Sequence, residues 1–299
     1  MDIYVRMRGG LGNQMFQFAF AYVLKREYNG VERILLDTRS FKKYYRNFDL
    51  CDFLLNQDCQ IVEKGNFKYD FSFRLFNLFR GFLKKVFKKN INDSPKFLSK
   101  RGMIYGDAFC SIPPQKTRKD IYLFGYFQDA NILEPYRHDL YEMFTLKNEP
   151  SNNYKRYSAL IKKDSVAISV RISENNKLEG LKYTEKEYYF HALDLLISKC
   201  AVKQIVIMSN KLDIVQQECW FDKYKIECVY VSDCSPAEQI EIMKKCNNYI
   251  ISNSTFAWWG AYLGNTTKKG IILAPEDWYS TSKLADTKMM LEEITIVKM

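Results

Sequence analysis

Apolar and polar positions switch between two periods along most of the chain, and the switching predicts strands interleaved with helices. Short apolar runs bounded by polar or glycine-bearing turns predict strands at 2–6, 33–37, 121–125, 165–171, 204–208, 226–231, 249–252 and 270–274. Longer stretches with helical spacing lie between them, at about 14–28, 129–144, 184–200, 235–246 and 254–263. Strand–helix alternation of this kind builds largely parallel sheets, so the expected fold class is α/β. The polar, proline-bearing run from Lys147 to Asn153 predicts a boundary. It places one α/β domain over 1–150 and a second over 151–299, facing each other across a cleft.

One segment departs from this alternation. Leu75, Phe76, Phe79, Phe82, Leu83, Val86 and Phe87 fall at helical spacing, with Lys84, Lys85, Lys88 and Lys89 among them. Residues 68–101 hold ten Lys or Arg against Asp70 and Asp93, most of the chain's net charge of +10. Two readings stand. The apolar face packs on the body of the protein, or 71–89 lies as an amphipathic helix on an anionic membrane surface. The second suits an acceptor carried on a lipid. A basic surface also admits nucleic acid, but nothing else in the chain supports that partner.

With 299 residues, 47% of them hydrophobic, the chain is long enough for a sizeable core. No run approaches the roughly 18 apolar residues of a membrane span. The opening residues enter a strand without the basic start and apolar run of a secretory signal. The expected location is therefore cytoplasmic, or peripheral on the inner face of the membrane. Eight cysteines without a C-x-x-C pair and two histidines argue against zinc and against a disulfide framework. Cys228 and Cys234 would pair only in an oxidising compartment.

Three motifs carry candidate chemistry. Arg8-Gly9-Gly10-Leu11-Gly12-Asn13-Gln14 joins a strand to a helix, where glycines admit close approach and a helix start favours anions. Gly10 and Gly12 fit the dinucleotide fingerprint, but Met15 stands at its third position, and no G-K-[ST] is present. A tight turn explains the glycines equally well. The second motif ends an apolar strand, 165–171, in Arg171, whose guanidinium suits a phosphate or a surface salt bridge. The third runs from Ile250 to Leu263: Ser252, Ser254 and Thr255 cap a helix that carries Trp258 and Trp259, and those indoles suit core packing. No D-x-D occurs in the chain. If the substrate is a nucleotide sugar, its departing diphosphate is then stabilised by fixed cations and backbone donors rather than by a metal.

These motifs resemble the α-1,2-fucosyltransferases of glycosyltransferase family eleven. Gly9 to Ala19 is similar to that family's opening, Gly125-Tyr126-Phe127-Gln128 to its G-Y-[WF]-Q segment, and Ser235-Pro236-Ala237-Glu238 and 252–263 to its later blocks. The resemblance implies a GT-B architecture of two Rossmann-like domains, with the acceptor side in 1–150 and the donor side in 151–299. It implies inverting, metal-independent transfer of L-fucose from GDP-β-L-fucose to a galactose hydroxyl of a glycan acceptor, free or lipid-linked. Carried over by position, Arg171 binds the β-phosphate, and Gly10, Gly12 and Asn13 approach the phosphate–fucose end. Ser254, Thr255 and Phe256 hold the diphosphate and nucleoside, and Ser209 and Asn210 lie near the guanosine. Where the family reads H-x-R-R-G-D, this chain reads Ser169-Val170-Arg171-Ile172-Ser173-Glu174. Glu174 falls at the aspartate, as an acid partner or general base. The departure leaves open a different linkage, another GDP-sugar, or a weakened relative that binds GDP-sugar or glycan without turnover.

Overall fold

The expected strands assemble into two sheets in which every pairing is parallel. The computed structural model describes residues 1–43, 45–55, 57–63, 67–87, 100, 102–106, 112–115, 119–172, 184–276, 278 and 288–298. The chain divides into two compact units. The first comprises Met1–Phe48 and Leu55–Tyr136, the second Asp49–Leu54 and Arg137–Met299.

In the first unit, β1 (Asp2–Arg6), β2 (Arg33–Asp37), β3 (Cys59–Val62), β4 (Met103–Gly106) and β5 (Ile121–Gly125) line up in the order β3-β2-β1-β5-β4. Helix α1 (Leu11–Glu27) connects β1 to β2 and is buried from Leu11 to Leu24 except at Asn13. It begins at Leu11 rather than Gln14, because Gly10 already takes the extended backbone of an N-cap. Helix α2 (Phe67–Phe87) is the basic segment.

In the second unit, β6 (Ser165–Val170), β7 (Gln204–Ser209), β8 (Glu227–Tyr230), β9 (Asn248–Ile251), β10 (Ile272–Pro275) and β11 (Ile294–Val297) run β11-β10-β9-β6-β7-β8. Its helices are α3 (Arg137–Met143), α4 (Asn152–Leu160), α5 (Lys186–Lys199), α6 (Leu212–Gln217), α7 (Pro236–Lys245) and α8 (Thr255–Gly264). Tyr188 and Leu193 of α5 lie in the main core with Ile168, Ile205 and Ile250. The Tyr188 hydroxyl donates to the carbonyls of Ile251 and Leu273, tying α5 to β9 and β10.

Each sheet begins near its middle and grows outward in both directions. Strand order therefore reverses between β1 and β5 in the first unit and between β6 and β9 in the second. In open parallel sheets, the carboxyl ends of the strands at such a reversal form the usual binding crevice.

Several boundaries differ from expectation. The helix expected over 129–144 is two 3-10 turns, Ala130–Ile132 and Glu134–Tyr136, before α3. Pro135 supplies no N–H and restricts Glu134 before it, so a continuous helix is not available. The boundary expected at 150/151 falls inside the second unit. Arg137 explains the shift: it bonds the Tyr262 carbonyl and the Thr266 hydroxyl, pairs with Glu293, and lies over the Tyr262 ring. Strands β3, β4 and β11, four residues each, lie outside the expected set.

The apolar face expected along α2 is split. Phe76 is buried among Met103, Tyr105, Tyr122 and Phe124, with Phe73 packed against the same cluster. Leu75, Phe79 and Phe82, expected on that face, are exposed. Arg39 forks onto Asp37 and Asp70, fastening the first turn of α2 to the end of β2. The side chains of Leu83, Lys84, Val86 and Phe87, and residues 88–99, lie outside the described residues.

Candidate functional site

The first unit's reversal point is formed by the loops that follow β1 and β5. Gly9 sits at φ +85, a left-handed conformation that glycine takes without strain, and a Cβ there would meet the Asn13 amide nitrogen at 2.7 Å. Two buried glutamines brace this turn. Gln14 donates to the carbonyls of Gly9 and Asn47 at 2.9 Å. Gln17 accepts from the Arg8 N–H and donates to the Arg8 carbonyl, both at 3.0 Å. Gln14 is therefore a staple of the loop, and Gln17 joins it in that task. Gly12 lies buried in the first turn of α1, and Asn13 beside it is half-buried.

The segment after β5 meets this loop. Gly125 has φ +155, and a Cβ there would collide with the Gly106 carbonyl across the β4–β5 pair. Phe127 adopts φ +53, strained for a non-glycine residue, and its ring stacks on Phe20 at 4.3 Å. Those two backbone features turn the chain so that Gln128 donates to Asn13 Oδ1 at 2.8 Å. Tyr126 lies under the Arg8 guanidinium at 4.2 Å. The four-residue motif thus works as a device that delivers Tyr126 and Gln128 to the glycine loop.

The second unit repeats the arrangement with other residues. Arg171 follows β6 directly, and its N–H donates to the buried Tyr189 hydroxyl at 3.1 Å. Among the described residues no carboxylate pairs with the Arg171 guanidinium, which removes the salt-bridge reading for them. Burial pushes the Tyr189 hydroxyl up, against the pull of its hydrogen bonds with Thr184 and the Arg171 N–H. Asn210, at the end of β7, accepts from the Ile172 N–H at 2.9 Å and donates to the Ile172 carbonyl at 2.8 Å. Its amide is thereby committed to the backbone beside Arg171. The Ser209 hydroxyl accepts from the Lys211 N–H at 3.0 Å.

The other side of this reversal is the start of α8. Ser252, Asn253 and Ser254 are buried, and the Ser254 N–H donates to the Ser252 carbonyl at 2.7 Å. Ser254 occupies the N-cap position, yet its hydroxyl does not cap its own helix. Thr255 and Phe256, the first helical residues, are half-buried. Trp258 and Trp259 are both buried core: Trp258 stacks on Tyr262 at 4.5 Å and donates its indole N–H to the Met289 carbonyl, and Trp259 packs on Phe144.

The remaining sequence candidates separate cleanly. Glu174 lies outside the described residues. Ser235 and Glu238 form a capping box at the start of α7, and Glu238 also accepts from the Ser151 N–H at 2.7 Å. That family block is therefore a helix cap here. His138 and His191 are exposed on α3 and α5. Tyr189 and Gln17 were not singled out from the sequence. The only sequence trace of Tyr189 was its place on the apolar face of α5, where a hydroxyl-bearing ring can reach the strand ends.

Two Rossmann-like units in tandem, each with its polar motif residues at the reversal of strand order, define an α/β protein of GT-B-like fold. The profile of glycosyl transferase family 11 matches residues 2–296, and the chain belongs to that family. It is 25% identical to the O-antigen biosynthesis glycosyltransferase WbnK of Escherichia coli, across 93% of this chain and 95% of that one. It is 26% identical to an alpha-1,2-colitosyltransferase of Escherichia coli, across 94% of each. A solved structure of the NodZ alpha-1,6-fucosyltransferase soaked with GDP-fucose is similar at TM-score 0.47 and 11% identity, covering 88% of this chain and 92% of that one.

Proposed function

We propose that this glycosyltransferase moves L-fucose from GDP-β-L-fucose to a galactose hydroxyl of a surface-glycan precursor, forming an α-1,2 linkage with inversion and without a metal. The single observation that carries the reading is the convergence at the second unit's reversal point. Arg171 and the Ser252–Phe256 run leave the adjacent parallel strands β6 and β9 at the same end. A guanidinium with no carboxylate partner among the described residues and a helix start are what a departing diphosphate requires. Arg171 supplies the fixed positive charge, Ser254, Thr255 and Phe256 hold the diphosphate and nucleoside, Ser209 and Asn210 lie near the guanosine, and Asn210 also keeps the Arg171 segment in place. Gly10, Gly12 and Asn13 contact the phosphate–sugar end, and the first unit serves the acceptor. Glu174 is the proposed acid partner or base.

A second donor is favoured by one finding, the relative named as an alpha-1,2-colitosyltransferase. It keeps the linkage and changes the sugar carried by GDP.

The test is turnover of GDP-β-L-fucose with galactose-terminated acceptors in the presence of EDTA, followed by linkage analysis of the product. An α-1,2-fucosylated product supports the reading in full. Product from another GDP-sugar only would move the assignment to the second donor. Loss of turnover on chelation, restored by a divalent cation, would overturn metal independence.

A further inference from the structure

Helix α2 presents apolar side chains to two different surroundings. One side is docked on its own unit. Phe76 packs on Tyr105 at 4.9 Å and Phe124 at 5.1 Å, Phe73 meets Phe124 edge-on at 5.0 Å, and Arg80 donates to the Tyr105 hydroxyl. Arg39 holds Asp70 at the start of the helix at 2.7 Å. These contacts set the rotation of α2 about its axis.

That rotation decides where the other side points. Phe71, Leu75, Leu78 and Phe82 recur at intervals of four, three and four, so they form one stripe along the helix. They are 59%, 53%, 73% and 57% exposed. Large apolar side chains scattered singly need no explanation, but a continuous exposed stripe of this length marks a contact surface.

Charge selects the occupant. Arg74 and Lys85 of the same helix are exposed, and Lys100 beyond it is exposed as well. Residues 68–101 carry ten cations against two carboxylates. A second copy apposed through this stripe would bring the same positive field against itself, whereas an anionic bilayer offers both an apolar interior and opposite charge. No described helix is long and apolar enough to cross a membrane. An in-plane amphipathic helix, with its stripe among the upper acyl chains and its cations at the headgroups, satisfies both constraints.

We infer that the Phe71–Leu75–Leu78–Phe82 stripe is a docking surface for an anionic lipid bilayer. Docking itself is independent of donor and linkage. Its service to the enzyme, bringing the chain to an acceptor carried on a lipid, rests on the function proposed above.

The experiment is co-sedimentation of the full chain with phosphatidylglycerol vesicles and with phosphatidylcholine vesicles, at low and high salt. Partition into phosphatidylglycerol is expected to exceed that into phosphatidylcholine by about tenfold or more and to fall with salt. The double variant Leu75→Asp with Leu78→Asp is expected to lose about tenfold or more of that partition while keeping the wild-type melting temperature. Lys85→Glu, which alters no packed side chain, is expected to lose several-fold and keeps the test open should the double variant melt early. Equal partition into both lipids, no partition into either, or full partition by both variants would overturn the inference. So would self-association abolished by Leu78→Asp in a chain that ignores vesicles. Failure of the proposed reaction would show separately, as absent turnover on a soluble acceptor with vesicle binding intact.

Discussion

The Gln128 amide donates to Asn13 Oδ1 at 2.8 Å, joining the segment that leaves β5 to the first turn of α1, which follows the neighbouring strand β1. Because the Asn13 oxygen receives this bond, the Asn13 N–H₂ is turned away from Gln128 and toward the glycine turn, 2.7 Å from where a Gly9 Cβ would stand. Gln128 is a positioning residue for Asn13, and the glycine at position 9 leaves the space that the Asn13 amide occupies.

Replacing Gln128 by Glu should reverse that polarity, since a carboxylate accepts and cannot donate. Asn13 would then present its oxygen to the loop. Transfer should fall about 10- to 100-fold in kcat/KM, with melting nearly unchanged. Gln128→Leu should show a similar loss without the reversal. Steady-state kinetics with the nucleotide sugar checks both variants, and equal activity of the Glu variant and wild type would remove Asn13 orientation from the mechanism.

Arg171→Ala should lower kcat by about 100- to 1,000-fold, the effect of removing one preorganised group that stabilises departing charge. Its fold should survive, because Arg171 makes no ion pair among the described residues. Arg171→Lys should recover only part, since an ammonium keeps the charge and loses the planar fork. Single-turnover rates and thermal melts separate the chemical loss from any structural one.

Tyr189→Phe should act on the same site from beneath. It removes the acceptor of the Arg171 N–H and should cost about 1–2 kcal/mol of stability. Donor KM should rise as the Arg171 segment loosens. Denaturant titration and donor kinetics provide the two readouts.

Glu238 predicts a pH dependence of stability. Burial opposes its charge, but the N–H groups of Ser151 and Ser235 hold the carboxyl below its ordinary value. A carboxyl whose folded pKa is depressed stabilises the fold above its unfolded pKa and ceases to do so as pH falls through the folded one. Glu238→Gln should therefore be less stable than wild type at neutral pH, and the two melting curves should converge on acidification. Glu238→Ala, which leaves two N–H groups without their acceptor, should cost about 2–4 kcal/mol at neutral pH.

Gly125→Ala should destabilise by more than about 1 kcal/mol from backbone conformation alone, with overpacking against Gly106 adding about 1–3 kcal/mol. The loss should be accompanied by reduced activity, because Gly125 sets the course of Tyr126 and Gln128. Thermal melts and kinetics on the same preparation test the link.

The amino-acid sequence alone determined the α/β class, most strand positions and the three motifs, because each depends on local period, turn chemistry or short-range spacing. Asp2–Arg6 and Gln204–Ser209 announce themselves as strands wherever they are placed, since a buried strand needs an apolar run. What distance along the chain concealed was partnership. Gln128 and Asn13 are separated by 115 positions in sequence and Glu238 and Ser151 by 87, so neither contact leaves a local pattern. The assignment of Glu238 to a helix cap, of both tryptophans to core, and of Asn210 to the backbone beside Arg171 all awaited the packed structure. Helix α2 marks the division most sharply. Period and charge establish an amphipathic helix, but only the tertiary contacts of Phe73, Phe76 and Asp70 decide which apolar residues turn inward and which remain exposed. A helical pattern fixes angles between side chains, whereas the rotation of the helix against its sheet is a property of packing.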